Sequence, residues 1–203
     1  MSNNYTTIIR ENLSAIYKKG PSDLTERLPA RKEGENYVFK AFGQECTLTQ
    51  EKILLSGRVE NGPVGVLITL YALNVGPDPL KLEPFRAFKD LPNSMPYQAA
   101  FAANAERVLV PHVPALAEKR DLIIKHFDGH DASPELRGDI SFVIYPLPKI
   151  ALAYICYLPD EEFPASATCL FSSNALSFMP LDGLADVAEY TSKAIIEFLG
   201  TAP

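Results

Sequence analysis

The chain has 203 residues, 47% apolar and 22% charged, a mixture that excludes disorder and collagen and suits one globular domain over residues 1–203. Its net charge of −6 is carried wholly by residues 138–203, where two basic side chains face eight acidic ones. That balance, with no dense cluster of Lys or Arg, argues against nucleic acid as a partner, because phosphate binding draws on concentrated positive charge.

Ile9, Leu13 and Ile16 recur at helical spacing, and Lys18, Lys19 and Gly20-Pro21 follow as an end signal, so an amphipathic helix is expected over 4–19. From Asn36 the pattern alternates: 37–42 and 45–48 predict a hairpin about Gly43-Gln44, and 53–59 a third strand. Residues 63–76 are apolar on every side, with Pro at the first turn and Gly-Pro after the end, which predicts a buried helix. Two helices are expected at 97–110 and 114–127, separated by Pro111-His112-Val113-Pro114. Beyond a polar loop at 129–139, Ile140 to Pro159 is long enough to span a membrane, but Pro146, Pro148 and Lys149 would break a helix at its centre. Two buried strands joined by Pro-Leu-Pro-Lys are expected instead, and no membrane association. An acidic loop at 159–164 and a strand at 167–171 follow. A closing helix at 183–199 has Asp182 as N-cap and Gly200 just past its end. Because helices and strands come in runs, the expected class is α+β: an antiparallel sheet with a buried central hairpin, packed by helices that include amphipathic ones at both termini.

The beginning Met-Ser-Asn-Asn-Tyr has no basic stretch followed by an apolar one, so no secretory leader and a cytoplasmic location are expected. Cys46, Cys156 and Cys169 are too few for a disulfide framework or for the four thiolates of a Cys-only zinc or iron–sulfur site. If strands ending near Leu158 and starting near Ala167 pair, Cys156 faces Cys169; two buried thiols acting as small hydrophobes are the commoner outcome, a redox pair the sharper one. No nucleophile elbow and no phosphate-cradling glycine loop occurs.

The densest ionisable run is Asp160-Glu161-Glu162, before Phe163-Pro164. In an extended segment Asp160 and Glu162 project to one side, where a hard cation or a raised pKa would relieve their repulsion; a solvated loop is the commoner outcome. His126 and His130 stand at i and i+4 with Asp128 between them, a candidate metal set. Asp128-Gly129, however, is a turn signal, and histidines gather at helix C-termini for the dipole alone. His112, between two prolines, is read as a connector residue.

Several stretches taken in order carry a family likeness: Leu67 to Leu73, Glu83-Pro84-Phe85-Arg86-Ala87-Phe88, Met95-Pro96-Tyr97 with Phe101, Pro146 to Leu152, Asp160 to Pro164, and Cys169 to Ala175. Over roughly residues 20–195 the chain resembles an uncharacterised prokaryotic family, domain of unknown function 3786. The resemblance implies an accessory protein of anaerobic metabolism, with a small molecule or a redox or corrinoid-type protein as partner. Some members carry an N-terminal iron–sulfur domain; this chain has no four-cysteine segment, so no iron–sulfur cluster is expected on it and the cofactor stays open. The family's Trp ahead of the acidic motif is absent, Tyr154 and Tyr157 being the nearest aromatics. A ligand cleft built from Arg86, Tyr97, Lys149, Asp160, Glu161, Glu162 and Phe163 is the expectation, Arg86 and Lys149 serving as anion partners. The alternatives are a metal-assisted hydrolase or transferase using the acidic loop and a histidine, and a structural or oligomerising protein; a non-catalytic binding or accessory module is preferred.

Overall fold

Two antiparallel sheets of five strands each, flanked by helices, make up the described residues of the computed structural model, which are 4–18, 24–25 and 27–201. The chain is α+β as its pattern predicts, with its strands divided between two sheets rather than gathered in one. Lys19 and the Gly20-Pro21 end signal lie outside the described residues.

Helix α1 (Asn4–Lys18) buries Ile9, Leu13 and Ile16. The first sheet is a meander of β1 (Arg31–Glu33), β2 (Asn36–Ala41), β3 (Gln44–Leu48), β4 (Ile53–Leu55) and β5 (Arg58–Val59). Residues 53–59 are thus a hairpin and not a single strand. Ser56 and Gly57, at φ 47° and 77°, form a tight turn with both central residues left-handed. Phe42 and Gly43, at φ 49° and 77°, close β2 onto β3 in the same way, and a Cβ on Gly43 would also collide with His126. Helix α2 (Pro63–Asn74) has no amphipathic face and packs on α1, where Asn12 Nδ2 donates to Thr69 Oγ1 at 3.0 Å.

The second sheet has the order β6 (Arg86–Ala87), β10 (Ser166–Phe171), β9 (Ile150–Tyr157), β8 (Ile140–Leu147), β7 (His130–Asp131). The expected Pro-Leu-Pro-Lys connection is shorter than proposed, because Pro146 and Leu147 belong to β8 and only Pro148-Lys149 turn. Pro146 has no N–H to give the ladder, and the register shifts between Ile144 and Leu147. Its carbonyl instead accepts the Phe42 N–H at 2.7 Å and ties the two sheets together. One face of the second sheet, with Phe142, Ile144, Leu152, Tyr154, Cys156, Cys169 and Phe171, enters a core that runs continuously to α1 and the first sheet. The other face, with Val143, Ala151 and Ala153, is covered only by loops.

The two helices expected over 97–127 are instead a broken run. A 3-10 turn (Met95–Tyr97) leads to α3 (Gln98–Phe101), a π-helical turn (Ala102–Glu106), a second 3-10 turn (Arg107–His112), α4 (Val113–Glu118) and α5 (Arg120–His126). Pro111 lacks a donor, Pro114 restarts the helix at its first turn, and the Ala105 carbonyl accepts the Ser192 hydroxyl at 2.6 Å. The last helix, α6 (Leu181–Thr201), begins and ends beyond its expected limits. Asp182 lies in its first turn rather than capping it, and Gly200 is helical.

Candidate functional site

The acidic segment is a tight hairpin tip. Ser166 pairs with Tyr157 and Ala167 with Cys156, and in the same register Asp160 N–H donates to the Phe163 carbonyl at 3.0 Å. Asp160 therefore opens a four-residue turn, with Glu161 and Glu162 at its centre and Phe163 closing it. Asp suits that opening position because its carboxylate reaches forward to the backbone. Oδ1 accepts the Phe163 N–H at 2.7 Å and the Glu162 N–H at 2.8 Å, and these bonds hold the Asp160 carboxyl below its ordinary range. Asp160 is thereby committed to shaping the turn. Glu161 and Glu162 are exposed and carry no side-chain partner among the described residues. Phe163 stands 66% exposed, and in the stem Leu158 is 39% and Tyr157 48% exposed. The stem is pinned as well: Tyr157 Oη donates to the Arg137 carbonyl at 2.8 Å, and Asp139 Oδ2 accepts the Leu158 N–H at 2.8 Å.

The other candidates do not join this tip. Arg86 is exposed on β6 opposite Phe171, five residues along β10 from Ser166, or roughly 17 Å at the rise of a strand. Lys149 is in the turn at the far end of β9, only 8% exposed. Its Nζ donates to the carbonyls of Gly76 at 2.9 Å and Asp78 at 3.0 Å, just past the end of α2, and lies 5.4 Å from the centre of the Phe178 ring. Burial lowers its pKa. A cation placed there answers the negative end of the α2 dipole, so Lys149 binds the chain itself and offers nothing to an anion. Tyr97 borders a small cleft of about 120 Å³ with Asp182, Asp186 and Glu189 from α6, where burial first, then Glu189 and Asp182, raise the Asp186 pKa.

His126, Asp128 and His130 diverge. His126 stacks on Phe198 with ring centres 4.3 Å apart, and burial holds its pKa below the ordinary value. Asp128 pairs with Lys40 at 2.7 Å. Both His130 ring nitrogens are occupied, Nδ1 by the Asp131 carbonyl at 2.8 Å and Nε2 by the Tyr145 hydroxyl at 2.9 Å. Gly129 falls at the end of the helix, so the i, i+4 relation loses its common face. Among the described residues no group of three His, Cys, Asp or Glu is placed to hold a metal ion. The cysteine register is shifted by two from the expected one: Cys169 faces Tyr154, leaving Cys156 diagonal to it, and all three cysteines are free and buried. Diagonal Cα atoms lie about 7–8 Å apart, beyond disulfide reach. Burial raises the Cys156 thiol to about 12 and Cys169 further, so neither is a nucleophile at neutral pH.

Sequence reasoning missed Tyr157 and Leu158 as members of the exposed tip; the turn chemistry of Asp160 was the signal that would have set the register and revealed them. It also missed a cleft lined by Glu83, Pro84, Phe85, Ser133, Glu135 and Leu136, about 50 residues apart in two loops, for which no spacing signal exists. No helix among the described residues is long and apolar enough to cross a membrane. A family model described as Domain of unknown function (DUF3786) matches residues 20–194. Neither the curated proteins nor the solved structures contain a match to the chain.

Proposed function

The chain belongs to the DUF3786 family, and we propose that it is a non-catalytic binding module that docks a partner protein through the hairpin tip at 157–164. The observation that carries this reading is Phe163, two-thirds exposed on a turn already fixed by the Asp160 carboxylate. Holding a large apolar ring in solvent stabilises nothing in the free protein, whereas a rigid aromatic anchor loses little entropy on binding and is a common centre of interface energy. Leu158, on the same side of the hairpin in this register, adds apolar surface, and Glu161 with Glu162 flank it with negative charge. The complementary surface is an apolar notch rimmed by Lys or Arg. A redox or corrinoid-type protein is the partner class that the family resemblance implies.

The chemistry of the remaining candidates supports binding over catalysis. Asp160 is bonded to its own turn, Lys149 to the carbonyls after α2, and His130 to Tyr145 and Asp131. The test is affinity purification of the partner with the wild-type protein, followed by titration of that partner with wild type, Phe163→Ala, and Glu161→Gln with Glu162→Gln. Weaker binding by both variants, more so by Phe163→Ala, with melting temperatures unchanged, is the expected result. Undiminished binding by both would overturn the reading.

A further inference from the structure

We infer that the cleft between residues 80–85 and 133–136 binds a small organic cation, an ammonium group carried on an apolar body. The cleft follows from the composition of the outer face of the second sheet. Val143, Ala151 and Ala153 are small, and the cover laid over them by Leu80, Leu82, Phe85, Ala132 and Leu136 comes from two separate loops. Between those loops remains a space of about 480 Å³, within the roughly 300–1,000 Å³ of small-molecule sites. Its walls are Pro84, Phe85 and Leu136, an apolar lining with one aromatic ring.

Charge selects the occupant. Glu83 and Glu135 line the same space, both exposed, and neither has an ion-pair or hydrogen-bond partner among the described residues. No Lys or Arg is among the residues that line the cleft, so the charges an occupant meets at its walls are the two carboxylates. Ser133 also lines the cleft, although its hydroxyl is turned away from solvent and has no hydrogen-bond partner among the described residues. Two carboxylates and a hydroxyl fall short of a metal-holding set, while an ammonium needs only acceptors and gains from an adjacent ring face. The residues that line the cleft are distinct from those of the hairpin tip.

The experiment is an NMR amide-shift titration of the full chain with phenethylammonium chloride, run beside neutral 2-phenylethanol and anionic phenylacetate. The cation is expected to saturate one site, moving the amides of Phe85, Ser133, Glu135 and Leu136. The alcohol and the Glu83→Gln with Glu135→Gln variant should each show affinity about fivefold weaker, the scale of two exposed charge contacts. Both carboxylates are exposed, and the variant's own spectrum verifies that it is folded. Equal binding of the alcohol, unchanged affinity in the variant, shifts confined to other residues, or no saturation up to about 10 mM would each overturn the inference.

Discussion

Where β8 turns into β9, Lys149 keeps its charge inside the protein; at the opposite end of the same sheet, where β9 turns into β10, Glu161 and Glu162 leave theirs in solvent. Both are charged residues in tight turns next to prolines, and they differ in what lies beside them. The first turn abuts the end of α2, whose carbonyls need a donor, and the Tyr71 hydroxyl accepts the Lys149 N–H at 3.0 Å. The second satisfies its backbone with Asp160 alone, so its other side chains are free of structural duty. A charged turn residue is thus a candidate for binding only after the carbonyls and amides around it have been accounted for.

Substitutions at the two ends should separate stability from binding. The largest effect is expected at the inner end: Lys149→Met strands the carbonyls after α2 and should cost about 3 kcal/mol, lowering Tm by about 9 °C in thermal unfolding. An unchanged Tm would mean that the two ends do not differ in kind. At the outer end, Phe163→Ala should leave Tm in place and weaken partner binding by about 2 kcal/mol, or roughly 30-fold in Kd by calorimetry. Glu161→Gln with Glu162→Gln should lower the association rate a few-fold and flatten its dependence on salt, as removal of rim charge does.

The smallest effect is one of pH. The Asp160 carboxyl is held below its unfolded value of 3.8, so its turn bonds are complete above that value and are lost only as pH falls through the lower, folded one. Partner binding measured between pH 7 and 5 should therefore show no loss through Asp160, any decline through it coming only below 3.8. A fall between pH 7 and 5 that Asp160→Asn abolishes would contradict this role.

Much of the fold was legible because periodicity is a local signal. The apolar stripe of α1, the all-round apolarity of α2 and the long face of α6 each announce a helix, and the Val-, Ile- and Tyr-rich run at 140–157 announces two strands. The run 95–126 was not legible as it stands, because its breaks answer to distant groups: the Ala105 carbonyl is satisfied by Ser192 of α6, and the Cys169 N–H donates to Glu106 at 3.1 Å. The Cys156–Cys169 register was misread for a nearer reason. It assumed a longer unpaired loop, whereas Asp160 closes the hairpin at Phe163. Of the candidate site, the acidic tip was legible as a cluster, but the separation of Arg86, Tyr97 and Lys149 from it depends on strand order, which spacing does not encode.

The central claim is that the outer end of the second sheet meets the partner and the inner end does not. A photo-crosslinking side chain placed at position 163 and, in a second protein, at position 86 tests this in cells. One dominant partner adduct from 163, formed on a basic surface of that partner and absent from 86, is the predicted result. Equal labelling from both positions, or labelling from 86 alone, would contradict it.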